Sequence, residues 1–350
     1  MRIKMYYPEA LFEKKQKAYC FELLKSKIRA EEKSRENDEM IQSMISWTTE
    51  EEADLWVLPM DWNYYYLHKM EKDALQFCKK AHLNQKKVLS FTGGDYGISV
   101  STPPNVIIYR ITGYSSRLRK QERIFPFYLT DPVQKFFGRE EEFVLKRSLS
   151  ESPIIGFCGM APGDWKTRLQ EPAKIFVRNL ASTFKFLPYD RQAILSSSYL
   201  RHKILKRLEN AKQFETNFII RQQYRAGAKK IEERKKTTEE YYQNQYESDL
   251  NVCVRGGGNF SVRFIETLAM GRIPLFCDTN SPLPEINGNW NNHIIRFVPS
   301  QIHKLPEIIN DWIHGKDLHS TFLINRQLWK EQLSLQGFWQ KELKNIRSDF

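Results

Sequence analysis

The sequence predicts an α/β protein of two Rossmann-like domains in tandem, and three observations carry that expectation. The chain has 350 residues, more than one core comfortably holds. Short apolar runs alternate with amphipathic stretches, the pattern of parallel strands joined by crossover helices. The alternation stops over a polar stretch, 131–153, and then restarts. Residues 1–140 are therefore expected to form one domain and 150–318 the other. Residues 319–350 read as a helical tail able to pack back on the first domain.

In the first domain MRIKMYY reads as a strand, followed by a polar helical stretch and the compact buried strand ADLWVLP (53–59). DALQFCKKAHL reads as a helix, KKVLSFTGGD as a strand entering a glycine turn, and NVIIYRIT as a further strand. In the second domain the strand PIIGFCG precedes helices through TRLQEPAKIFVRNLAS and KILKRLENAKQF. The strand TNFIIRQ, a charged helix over roughly 228–247 and the strand SDLNVCV follow. FSVRFIETLAM is helix, IPLFCD and HIIRFVP are strands, and QIHKLPEIINDWI is helix.

Composition narrows the function classes. No apolar run approaches the roughly 18–20 residues of a membrane-spanning helix, and MRIKMYYPEALFEKK turns polar too soon for a secretory signal. The five cysteines form no CxxC pair, and three lie in apolar strand-like runs, which suits free thiols in a reducing cytoplasm. The seven histidines lack ligand spacing, so no metal site is expected. The formal charge of +12 fits nucleic acid, an anionic membrane face or phosphate-bearing small molecules. Much of it lies in 200–236, in RHKILKR and KKIEERKK. The interspersed acids of the latter read as a solvated helix face, with docking to an acidic or lipid partner as the alternative. No RNP, KH or zinc-finger pattern supports a nucleic-acid partner.

The stretch SDLNVCVRGGGN places a buried strand before a glycine loop and a helix start, where ligands bind in open parallel sheets. Helix N-termini accept phosphate, and Gly256, Gly257 and Gly258 would let the backbone approach an anion and adopt positive φ. Arg255 and Arg263 could add charge-assisted bonds to a diphosphate, and Glu266 is placed to accept from a ribose diol. The bland alternative is a tight turn before a surface helix whose Arg and Glu pair.

RGGGNFSVRFIETLAMGRIPLFCDTNSPLPE resembles the exostosin-like family of glycosyltransferases. The resemblance lies in Cys253 with Arg255-Gly256, then Ser261, Arg263 and Glu266, then Gly271, Ile273, Pro274 and Leu275, Asp278, and Leu283-Pro284. NGNWNNHIIRFVPSQIHKLPEII also looks like the family's ending, while ADLWVLP, FTGGDYG and FIIRQQYRAGA match its earlier part more thinly. The resemblance implies a GT-B fold, two Rossmann-like domains facing across a cleft. It implies an inverting enzyme that needs no metal or other cofactor and takes a nucleotide-sugar, usually a UDP-sugar, as co-substrate. The acceptor would be a glycan or lipid-linked saccharide in polysaccharide biosynthesis. Family enzymes in animals and plants usually carry a membrane anchor that is missing here, which suggests a bacterial or viral relative or a trimmed chain. Such a relative would be cytoplasmic, in peripheral contact with an anionic membrane.

Carried onto this chain, the donor set is Arg168, Arg221, Arg255, Gly257, Gly258, Asn259, Ser261, Arg263 and Glu266, with Asp278 as a secondary candidate. An inverting transferase needs a general base. Asp95, in the glycine turn, is the first candidate and Asp61 its competitor, though either could simply cap a turn. Trp165 could flank the base or sugar, or pack. In WNYYYLHK no single face can bury all three tyrosines, so Tyr64 and Tyr65 are candidates for stacking on an acceptor sugar. Competing functions are a basic nucleic-acid-binding protein and an inactive family member serving as a partner subunit.

Overall fold

The computed structural model describes residues 2–32, 36–138 and 152–348. The chain opens with β1 (Ile3–Tyr6), α1 (Glu22–Glu32), α2 (Glu36–Met44) and β2 (Ile45–Trp47). It continues through β3 (Leu55–Val57), α3 (Trp62–Leu67), α4 (Glu71–Leu83), β4 (Lys87–Thr92), β5 (Val106–Arg110) and β6 (Glu122–Ile124). These strands form one parallel sheet in the order β2-β1-β3-β4-β5-β6.

After α5 (Pro132–Phe137) come β7 (Ile154–Met160), α6 (Trp165–Thr183), α7 (Ser197–Glu209), β8 (Glu215–Arg221) and α8 (Ile231–Tyr246). Then follow β9 (Leu250–Cys253), α9 (Val262–Ala269), β10 (Ile273–Cys277), β11 (Ile295–Phe297) and α10 (Leu305–Ile313). The second sheet is also parallel, in the order β11-β10-β9-β7-β8. Helix α11 (Leu318–Leu328), a π-turn over Trp329–Leu333 and α12 (Leu335–Ser348) end the chain.

Counted from its own first strand, the first sheet runs 2-1-3-4-5-6 and the second 2-1-3-4-5, so each reverses direction between its first and third strands. Such a reversal opens a crevice at the strands' carboxyl ends. In the first sheet it lies between β1 and β3, and in the second between β7 and β9. Central strands β5, β9 and β10 are buried along their whole length, which parallel strands covered on both faces require.

Each sheet has its own apolar core, one around Trp56, Val88 and Ile108, the other around Phe157, Val252 and Leu275. Helix α12 belongs to the first core: Phe338 stacks edge-on against Phe125 at 4.9 Å and Trp339 against Tyr109 at 5.2 Å. A third cluster, including Phe264, Phe276 and Trp329 with Phe127 against it, lies where the halves join.

The expected strands and helices are present with shifted ends, and three further elements, β2, β6 and α5, differ from the sequence reading. Strands β2 and β6 are three-residue edge strands, too short for a period to show. The expected connection 131–153 begins with a real helix, α5, capped by Asp131, started by Pro132 and stopped by the left-handed Gly138. Its Val133 is buried in the second core, while 139–151 lie outside the described residues.

Candidate active site

The carboxyl edges of the two sheets face each other and touch through their loops. The peptide N–H of Asn259 donates to Thr112 Oγ1 at 3.1 Å, and its side-chain amide donates to Gly113 O at 2.8 Å. Arg255 donates to Tyr114 Oη at 3.1 Å and to Gln192 Oε1 at 3.0 Å. Ser115 N donates to Asn280 O at 3.0 Å. Beside them, Arg110 reaches from β5 to Asp190, and Asp190 N donates to Gly97 O. The loop FTGGDYG thus packs on the glycine loop, and Gly258 approaches so closely that a Cβ there would stand 1.7 Å from Asp95 O.

The crevice of the second sheet has a different character. β7 and β9 pair only at Ile155↔Leu250 and Gly156↔Asn251, then diverge. Two guanidinium groups fill the wedge. Arg263 donates to Cys158 O at 2.7 Å and Val252 O at 3.1 Å, one carbonyl from each strand. Arg201, from α7, donates to Met160 O at 3.0 Å and Arg255 O at 2.7 Å, again bridging the two strands' ends. Gly159 makes the room, since a Cβ there would lie 2.8 Å from the Arg263 guanidinium. The Nε of each arginine is sealed from solvent and has no hydrogen-bond partner.

Burial and the neighbouring Arg263 charge push the Arg201 guanidinium down to about 10, so it stays charged at neutral pH. Two carboxylates lie near, both already bonded to hydroxyls. Glu171 accepts from Ser196 and Ser198, and Glu266 accepts from Tyr241 at 2.5 Å and Tyr242 at 3.0 Å. Burial raises the Glu266 carboxyl above the ordinary range, against the pull of the two hydroxyls and Arg263. The result is a buried cluster of two guanidinium groups and two carboxylates at a sheet reversal, the crevice beside which open parallel sheets bind their ligands.

Several expected roles change. Arg255 is buried and spends its side chain on the contact between halves, and the fully buried Asn259 side chain also accepts from Thr279 and Ser281. Arg221 pairs with Glu240 and donates to Thr237 O on α8. Arg168 is exposed and lies over the Tyr199 ring. None of Gly256, Gly257 and Gly258 is left-handed, and of the three only Gly258 answers to close packing on Asp95, while Gly256 has open space about it. Ser261 stands at the start of α9 without a capping bond, and Asp278 accepts from Ser281 N to close a turn.

On the first sheet, Asp95 is exposed, and its carboxylate lies 3.6 Å from where a Gly257 Cβ would be. Tyr65 is fully buried, donating its hydroxyl to Leu11 O and accepting from Met60 N, which removes it as a stacking platform. Tyr64 packs between Tyr19 and His68 and is nearly as buried. The short α3 buries both rings and leaves the outward position to Tyr66, which is only partly covered.

Asp61 caps α3 through Tyr64 N at 2.8 Å, and its other oxygen rests against Gly93. Burial pushes its carboxyl up to about 7, although the Tyr64 amide and Lys25 pull the other way. An unfolded aspartate titrates near about 3.9. Between those values the folded chain holds a proton that the unfolded chain has released. Stability therefore falls by roughly 4 kcal/mol as pH rises from about 4 to about 7. Asp61→Asn keeps an acceptor for the cap and cannot ionise. Its melting temperature should match the wild type near about pH 4 and exceed it by several degrees near about pH 8. Equal melting temperatures at the higher pH would contradict the buried acid.

The missed residue is Arg201, which sits in the basic run RHKILKR among side chains that do face solvent. Among the described residues no group of three or more His, Cys, Asp or Glu side chains could hold a metal ion, and no helix is long and apolar enough to cross a membrane. All five cysteines are free and buried.

No protein-family model and no curated protein matches the chain. Among solved structures, a glycosyltransferase from Rickettsia africae ESF-5 aligns over 99% of this chain and 98% of its own, with a TM-score of 0.36 and 10% identity. Likeness at that level carries no argument about activity.

Proposed function

We propose that the protein is an inverting, metal-independent glycosyltransferase of the exostosin-like type, working in the cytoplasm. It would move a sugar from a nucleotide-sugar donor, a UDP-sugar, to a hydroxyl of a glycan or lipid-linked saccharide. One observation supports this above the others: Arg201 and Arg263 wedge between diverging strands with sealed, unpartnered Nε atoms, opposite the carboxyl edge of a second sheet. In this reading the donor diphosphate lies at the wedge beside the loop 256–261, and Glu266 holds the ribose.

The acceptor hydroxyl attacks the anomeric carbon from the face opposite the diphosphate, and Asp95 takes its proton. The new carbon–oxygen bond forms as the bond to the diphosphate breaks. The nucleoside diphosphate leaves with the bonding pair, and its growing charge is met by the two guanidinium groups. Asp95 is favoured as base because it faces the glycine loop, whereas Asp61 is committed to its helix cap.

A thermal-shift series across UDP-, GDP-, CMP- and dTDP-sugars tests the reading. A ligand at about a hundred times its Kd should stabilise the fold by about 2.7 kcal/mol. Arg201→Met and Arg263→Met should each lose most of that shift. Asp95→Asn should keep it while lowering turnover by about a hundredfold or more. If no nucleotide or nucleotide-sugar raises the melting temperature, the reading is lost.

A further inference from the structure

Helix α6 is built inside out. Its inner side is held by polar contacts: Glu171 accepts from Ser196 and Ser198, Asn179 donates to Gln192 O, and Arg178 lies over the Tyr96 ring at 3.4 Å. None of its residues is buried. Its apolar side chains instead face solvent, with Trp165 68% exposed, Leu169 60%, Phe176 50% and Val177 65%. At 3.6 residues per turn these positions and Leu180 form one stripe along the outer face. Phe184 and Phe186, just past the helix, extend it and are 67% and 81% exposed.

The charges beside the stripe are mostly of one sign. Arg168 and Lys174 are exposed along its margins, Lys166 stands on the stripe at the helix's first turn, and Lys185 lies between the two phenylalanines. The helix's one acid, Glu171, is turned inward, and Asp164, which caps the helix, is exposed and bonded to Thr167. An apolar stripe with Trp and Phe, bordered by Lys and Arg, suits burial at the headgroup boundary of a bilayer that carries negative charge.

We infer that α6 and the following Phe184–Phe186 segment dock the protein on the surface of an anionic membrane. The helix lies in the plane of the interface, with its apolar stripe among the acyl chains near the headgroups and its basic margins on lipid phosphates. A protein partner would equally cover apolar surface, but the preponderance of positive charge beside the stripe favours a negatively charged lipid face. The inference stands on the surface alone and does not depend on the proposed transferase reaction. It does place that membrane beside the wedge, because α6 starts directly after the loop that leaves β7.

Co-sedimentation of the whole chain with phosphatidylcholine vesicles, with and without phosphatidylglycerol, tests it. Binding is expected only with phosphatidylglycerol, and it should weaken as salt rises. The double substitution Leu169→Glu with Phe176→Glu should reduce it by about tenfold or more. Both sites are exposed, so an unchanged melting temperature would show that folding is intact. Independently, Lys166→Glu with Lys174→Glu should weaken binding, and vesicles should blue-shift emission in the wild type but less in Trp165→Phe. No vesicle binding, or equal binding by wild type and both double variants, overturns the inference. So does concentration-dependent self-association that Leu169→Glu with Phe176→Glu abolishes while vesicles stay unbound, since the stripe would then cover a second copy.

Discussion

Gly258→Ala is expected to pry apart the carboxyl edges of the two sheets and to cost about 3 kcal/mol or more. The added Cβ would lie 1.7 Å from Asp95 O and 2.7 Å from Asp95 C, both backbone atoms that no rotamer change can move. Relief therefore requires shifting the FTGGDYG turn or the glycine loop, and both carry contacts between the halves. Asn259, the next residue, would be pulled from Thr112 and Gly113 at the same time. The melting temperature should fall by several degrees and protease resistance should drop. Gly256→Ala is the internal control, because nothing lies within 4 Å of a Cβ built there. Equal melting temperatures for the two variants would show that the edges do not approach this closely.

The second large effect is expected from Arg110→Met. Arg110 is buried on β5 and donates to Thr112 O at 2.6 Å, to Glu122 at 2.6 Å and to Asp190. Methionine fills much of the same space and meets none of these groups. Asp190 would lose its partner, while Glu122 would retain Arg119 at 2.8 Å. Breaking a buried ion pair from one side costs about 3–5 kcal/mol. The carboxylate left behind accounts for most of that. Arg110→Met with Asp190→Asn should recover part of the loss. Additive losses in that double variant would show that the two residues do not interact.

The parts of this protein that its sequence discloses are those governed by local pattern. Strands β9 and β10 read as buried runs, and the helix start after RGGGN is where the apolar period places it. What Arg255 and Asn259 do was hidden because their partners, Tyr114, Thr112 and Gly113, lie more than a hundred positions away in the chain. Arg201 was masked by its basic neighbours, and only the divergence of β7 and β9 explains why it is drawn inward. Helix α6 teaches a related point. Its apolar period announces an amphipathic helix, but a period cannot say whether the stripe meets a core or stays outside. Tyr65 shows the reverse, a ring expected to meet solvent that the fold encloses.

The chain passes between its two halves twice, and the passages lie side by side. The first falls between Phe125, in the first core, and Val133, in the second. The return falls at Ser334, between the π-turn and α12. Asp131, on the outgoing passage, pairs with the buried Arg326, just before the return. Two tethers fastened together at one spot work as a pivot. A swing of one half against the other must be smallest near Arg326 and must grow with distance from it, as a lever arm does. Mutations at the pivot would alter the arc of that swing without touching any group at the wedge.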